Sequence, residues 1–462
     1  MRDRRTFLKE ACAVTLLGTT AKGAIAMERE EQAQIRITGE WEIEVSAGIF
    51  LTGRKRVRIT HNTALKVTPT TILTVKDEKY DALPVYNPKA APWGRGAKLK
   101  QLATAETTSP GMLVAGSLVL KSAPGSGSTY QMEKDYDLEA HWATFGRMEG
   151  GIPENTPIWA DYVCGWGRID SVVVEKGGKV VLREGKAHNA TPQAPTITTK
   201  ETRLANIWLP GNLKRLNETS LYPIIEPVYP LTKRSGENTA QHSLPKTYRK
   251  LTSGEPLHIL AWGDSVTAGG EASSVEKQYQ SRFVALLKKR FPQSNIRLTT
   301  AGWGGRNTDS FLNEPPGAEF NFDHAVISKR PDLIVMEFVN DAWMSPDVVE
   351  QKYSYLLKRF QEIGAEWVKS TPHYVRPDWM SSNTERVETD PRPYVTGVRQ
   401  FCAKHGVAVA DASLRWGHLV KEGTPYMTLL SNSINHPNDA GHELFAQSLK
   451  SCSNTVYSPF PL

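Results

Sequence analysis

The chain has 462 residues, too many for one typical domain of about 150 residues, so a single small module is excluded. Hydrophobic residues make up 39% and charged residues 23%, which supplies material for packed cores and rules out a charge-swollen disordered chain. No uncharged apolar run approaches the roughly 18 residues that span a bilayer, and the net charge of +7 is spread without a dense Lys/Arg stripe, so an integral membrane segment and a nucleic-acid partner are both excluded.

The N-terminus reads Arg4-Arg5-Thr6-Phe7-Leu8-Lys9, then a weakly apolar stretch from Ala11 to Ala21, then Ala24-Ile25-Ala26. A basic head, a short hydrophobic run and a small-residue cleavage pattern make an export signal over residues 1–26. It resembles a twin-arginine signal, which also places Phe, Leu and Lys after the Arg pair; Asp3 stands where that pattern prefers Ser or Thr. The resemblance implies a bacterial protein, exported after folding to the periplasm or beyond. Cysteine usage adds little: Cys12 falls in the signal, and Cys164, Cys402 and Cys452 leave an odd thiol, with Cys402 and Cys452 free to pair.

Residues 27–230 read as a β-rich accessory domain, or as two small ones. Residues 34–50 and 56–75 are rich in Ile, Val and Thr with partial period-two alternation. Val172 to Leu182 predicts a hairpin turning at Gly177-Gly178. Residues 231–256 are Lys, Arg, Ser, Gly, Asn and Thr with few large apolar side chains, and read as a linker.

After the linker, over residues 257–455, the pattern becomes α/β. Strands are expected at residues 257–262, 296–301, 333–339 and 407–410, and helices at residues 275–291, 348–363 and 438–450. Such alternation implies right-handed crossovers and a parallel sheet covered on both faces. In that architecture chemistry belongs beyond the carboxyl ends of the strands.

Four segments occupy those ends. Gly263-Asp264-Ser265-Val266-Thr267 puts a hydroxyl after the first strand, and lacks the last Gly of a Gly-x-Ser-x-Gly elbow. Gly302-Trp303-Gly304-Gly305-Arg306-Asn307 is a glycine-rich loop without the Lys of a phosphate loop. Asn340 follows the third strand, and His436-Pro437 precedes the closing helix. His442-Glu443 lacks the second His of a zinc-protease pattern, and His442 is expected on a helix surface; Ser274-Val275-Glu276-Lys277 lacks the companion motifs of β-lactamases. Trp262, Trp303 and Trp343 lie beside these segments, as sugar-stacking walls or as core.

The four segments in this order resemble the SGNH, or GDSL, hydrolase superfamily over about residues 257–450. The resemblance implies a flavodoxin-like, doubly wound SGNH hydrolase fold. It implies Ser265 as nucleophile, His436 as general base, and Gly305 and Asn340, with the Ser265 backbone N–H, as oxyanion-hole donors. No metal or organic cofactor is implied. One departure concerns the acid that usually lies three residues before the His, because Ser433 stands there. A backbone carbonyl, Asn432, Asp341 or Asp411 is the expected substitute.

The expected reaction is ester hydrolysis, with an acetylated polysaccharide or oligosaccharide as substrate. That substrate rests on export, the extra β-domain and the tryptophans. A lipid or thioester is the alternative substrate, and a non-catalytic glycan binder with a decayed hydrolase domain is the alternative outside the enzyme class.

Overall fold

The computed structural model describes residues 31–230 and 240–452. The expected signal over residues 1–26 and the first part of the expected linker, residues 231–239, lie outside the described residues.

The N-terminal region is antiparallel. In the strand Glu42–Val45, Ile43 and Val45 are buried while Glu42 faces outward, the period of two that a half-buried strand imposes. Their side chains share a core with a four-stranded sheet ordered Val180–Arg183, Arg168–Glu175, Glu201–Leu209, Leu221–Pro223. The expected hairpin is present, with Val174 opposite Val180 across the Gly177-Gly178 turn. A second core, filled by Leu99, Leu102, Phe145, Ile158 and Tyr162, is inserted in sequence between the two halves of the first. Between its strands Ala97–Lys98 and Val119–Lys121 runs a long loop that carries Glu106.

The expected linker over residues 231–256 is corrected in its second half. Pro245–Ser253 (α1) is a helix, begun by a proline in its first turn and closed by Gly254 in the left-handed conformation. Leu244 and Leu251 are buried in the C-terminal core. Burying a leucine contributes roughly 1.5–3 kcal/mol, which docks a segment whose polar composition reads as linker.

The parallel sheet comprises β1 (Pro256–Gly263), β2 (Asn295–Gly302), β3 (Leu333–Glu337), β4 (Glu366–Ser370) and β5 (Ala408–Ala410). Their order is β2-β1-β3-β4-β5 with every neighbour parallel. Alternate side chains feed two cores. Leu257, Ile259, Leu333 and Val335 pack against α1, α2 (Tyr279–Arg290) and a C-terminal helix, whereas Leu260, Trp262, Ile334 and Met336 pack against helices on the other face. Those helices are α3 (Thr308–Asn313), α4 (Pro346–Glu362) and α5 (Pro393–His405); the C-terminal helix is α6 (Asp439–Cys452). β4 escapes a hydropathy reading because Glu366 and Lys369 interrupt it, although Lys369 is fully buried.

The two regions meet over polar and aromatic contacts. Asn206 donates to the Gly423 carbonyl at 2.8 Å, and the Ile225 N–H to the Lys421 carbonyl at 2.9 Å. The Arg376 guanidinium, on the loop after β4, lies 5.6 Å from the ring centre of Trp93 and 5.1 Å from that of Trp142, both in the N-terminal region. Thr107, buried in the N-terminal loop, donates its hydroxyl to the Asn432 carbonyl. Cys164 and Cys402 are buried free thiols.

Candidate active site

β1 ends where its backbone meets the following turn. A Cβ on Gly263 would stand 2.0 Å from Thr267 Oγ1 and 2.2 Å from the Glu337 carbonyl oxygen, so only glycine permits the turn to fold back this tightly. The next residue, Asp264, is buried and ties two loops together. Its carboxylate accepts the Val266 N–H at 3.1 Å and the Asn340 N–H at 2.9 Å. Burial holds this carboxyl well above the usual carboxylate range.

Ser265 stands in that turn with its hydroxyl 2.8 Å from His436 Nε2. Both are nearly enclosed, Ser265 at 9% exposure and His436 at 6%. Burial lowers the His436 pKa and the charge of Glu106 opposes the drop, so the imidazole is neutral at neutral pH. With Nε2 accepting from the serine, the ring proton belongs on Nδ1.

Gly305 and Asn340 reach the same edge. Gly305, in the loop after β2, has φ of +70°, a conformation that suits glycine. Asn340, in the short turn after β3, donates one amide proton to the Arg306 carbonyl at 3.0 Å and keeps the other. Among the described residues, the backbone N–H groups of Ser265 and Gly305 have no protein acceptor. The four expected residues thus lie at the carboxyl edge of the sheet, after β1, β2 and β3 and before α6, with Ser265 and His436 in direct contact.

None of the expected substitutes for the missing acid faces His436. Ser433 itself sits in the left-handed region, φ 55°. Asn432 turns its side-chain oxygen back onto the N–H groups of Ile434, Asn435 and His436 at 3.0, 2.9 and 2.9 Å, which shapes the loop and leaves the ring untouched. Asp341 is buried on Thr308 and Tyr353. Asp411 caps the helix after β5 and pairs with Arg399 at 2.9 Å.

The carboxylate at His436 comes from the N-terminal region. Glu106 Oε2 lies 3.0 Å from Nδ1, within ion-pair reach, although the ring N–H is not aimed along that line and no aligned hydrogen bond forms. Asn432 Nδ2 reaches the same carboxylate oxygen at 3.3 Å. Glu271, at φ 63°, completes a group in which single atoms of Glu106, Glu271 and His436 all fall within 4.8 Å of one another. Burial, together with the neighbouring Glu106 charge, pushes the Glu271 carboxyl up. No spacing in the chain signals Glu106, which precedes His436 by more than three hundred positions and lies in the β-rich N-terminal region.

His442 is corrected from a helix-surface residue to a fully buried one. Its Nδ1 accepts the Tyr279 N–H at 3.2 Å and its Nε2 donates to the Gly270 carbonyl at 3.2 Å, next to Glu271. Burial lowers its pKa to about 4, so it stays neutral while it braces that loop. The tryptophans divide. Trp262 is core, Trp303 stacks on Phe320 with ring centres 4.6 Å apart, and Trp343 is 57% exposed. A further indole, Trp379, is 47% exposed on the Arg376 loop, whose backbone N–H bonds the Ile434 carbonyl at 2.7 Å.

Residues 261–444 match the family described as GDSL-like lipase/acylhydrolase. The matched segment runs from β1 into α6 and contains Ser265, Gly305, Asn340 and His436. Among solved structures, the chain is similar to a two-domain esterase active on acetylated mannans, with 18% identity, 49% of this chain and 58% of that one covered, and a TM-score of 0.38. It is also similar to Axe2, an acetylxylan esterase from Geobacillus stearothermophilus, at 21% identity over 43% of this chain and 94% of that one, TM-score 0.34. A third is LAE5, an α/β hydrolase from the metagenome of Lake Arreo, Spain, at 22% identity over 43% of this chain and 97% of that one, TM-score 0.33. No curated protein matches the chain.

Proposed function

We propose that the C-terminal domain is a serine esterase that removes acetyl groups from a carbohydrate. The observation that carries this reading is the 2.8 Å contact between Ser265 Oγ and His436 Nε2 at the carboxyl edge of the sheet, within a segment matched to an acylhydrolase family. The strand order β2-β1-β3-β4-β5 supports a flavodoxin-like doubly wound fold, in which that edge is the ligand side.

In the proposed reaction His436 Nε2 takes the Ser265 proton as Oγ forms a bond to the ester carbonyl carbon, and the carbonyl electron pair moves onto oxygen. The N–H groups of Ser265 and Gly305 and the free amide proton of Asn340 stabilise that oxyanion. Collapse breaks the bond to the alcohol oxygen, which leaves with the proton held on Nε2. Water then enters by the same route and releases acetate. Ser265, His436, Gly305 and Asn340 are the residues assigned to these roles.

The carbohydrate half of the reading rests on Trp343, exposed beside the Asn340 turn, and Trp379, exposed on the loop bonded to Ile434. Exposed indoles present flat apolar faces on which sugar rings stack while ring hydroxyls stay in water. The Arg4-Arg5 segment adds export to the periplasm or beyond, where such polymers are met. Acetate release from acetylated glycans, set against acyl esters of rising chain length, tests the substrate. Fluorophosphonate labelling at Ser265 tests the nucleophile, and no labelling would overturn it.

A further inference from the structure

We propose that Glu106, carried by the N-terminal β-region, is the positioning residue for His436, so that the accessory domain completes the catalytic apparatus of the hydrolase domain. The proposal rests on the esterase reading and deepens it.

A general-base histidine gains from an anion at its second nitrogen. The anion fixes which nitrogen carries the proton and stabilises the imidazolium formed as the serine is deprotonated. In this chain the local place for that anion holds Ser433, a side chain with no charge. Glu106 Oε2 fills the role from the other domain at 3.0 Å from Nδ1.

The N-terminal loop is built to hold it there. Ala103 and Thr108 bridge across a tight turn, in which the Thr104 N–H bonds the Thr107 carbonyl at 2.9 Å and the two threonine hydroxyls meet at 2.9 Å. Asn189 braces the base of the turn through the Ala103 carbonyl at 3.0 Å. Thr107, Thr108 and Ser109 are buried behind it, with Thr107 bonded to Asn432. Glu106 projects from the tip, and Asn432 Nδ2 reaches it from the histidine's own loop. A solvated surface glutamate would need none of this.

The charged groups around His436 are Glu106 and Glu271, and Lys98 is near enough to feel the Glu106 charge. His373 and His442 nearby are kept neutral by burial. The Glu106 side chain is 56% exposed, so solvent screens its charge and its effect falls short of the roughly 10⁴-fold of a buried triad acid in another serine-hydrolase fold.

The test compares Glu106→Gln, Glu106→Asp and Glu271→Gln in the full-length chain, using ester turnover across pH and the rate of fluorophosphonate labelling. Glu106→Gln is expected to lower kcat by about 10- to 100-fold with KM nearly unchanged. It should also move the acid limb of kcat/KM to lower pH, because the lost carboxylate was raising the imidazole pKa. Glu106→Asp should recover part of both effects, which a purely structural role would not produce. A melting curve checks folding, and if Gln at this position unfolds the chain, Glu106→Ser takes its place in the same measurements: wild-type kcat with an unmoved acid limb in that variant overturns the proposal. Wild-type kcat and an unmoved limb in Glu106→Gln overturn it, as does the effect appearing in Glu271→Gln instead. A wild-type protein that neither turns over esters nor labels at Ser265 overturns the esterase reading itself, which separates the two failures.

Discussion

Thr107 donates its buried hydroxyl to the carbonyl of Asn432, a bond that helps tie the loop that bears Glu106 to the loop that bears His436. Replacing Thr107 by Val keeps the shape and deletes the donor, leaving a buried carbonyl without its partner. The expected cost is about 1–3 kcal/mol of stability, together with a lower kcat as Glu106 loosens. Thermal melting and steady-state kinetics on the variant check both; a normal melt with normal kcat would show that the two loops hold their places without the bond.

Ser433→Asp restores the acid that the sequence pattern lacks. Since Glu106 already stands 3.0 Å from Nδ1, and Glu271 lies within the same cluster, a third carboxylate adds like charge and no new contact. Turnover should stay level or fall. A clear rise in kcat would mean that Glu106 does not serve the imidazole.

The pH profile follows from His436. Burial lowers its pKa, and Glu106 only partly opposes the drop. The base works as neutral imidazole, so activity is full above the folded pKa and is lost as pH falls through it. The acid limb of kcat/KM should therefore lie below the ordinary imidazole value of about 6.5. A limb above that value would contradict the burial argument.

Export is a separate expectation carried by Arg4 and Arg5, which lie outside the described residues. Changing both to Lys keeps the charge and removes the paired guanidinium groups. The double variant should remain in the cytoplasm, as fractionation would show; undiminished export would assign the segment to the general secretory route.

What the sequence makes legible here is whatever sits next to its own element. Ser265, Gly305 and Asn340 follow β1, β2 and β3 directly, and His436 precedes α6, so their places at the sheet edge can be read from strand ends and local patterns. The helix α1 hides because Leu244 and Leu251, its core contacts, are set among lysines, arginine and threonines. His442 is misjudged because its partners, the Tyr279 N–H and the Gly270 carbonyl, come from distant segments. Glu106 is hidden most completely, since its approach to His436 depends on how the N-terminal β-rich region meets the loop before α6, and no local periodicity encodes that.

Ser265, activated by His436, is proposed to hydrolyse acetyl esters of a carbohydrate. Acetate released from acetylated polysaccharide by the wild-type chain, compared with Ser265→Ala and His436→Ala, measures it directly. Release is expected from the wild type, with a loss of at least about a thousandfold in each variant and folding intact. Release by Ser265→Ala at the wild-type rate, or none from the wild type on any acetylated glycan, would contradict it.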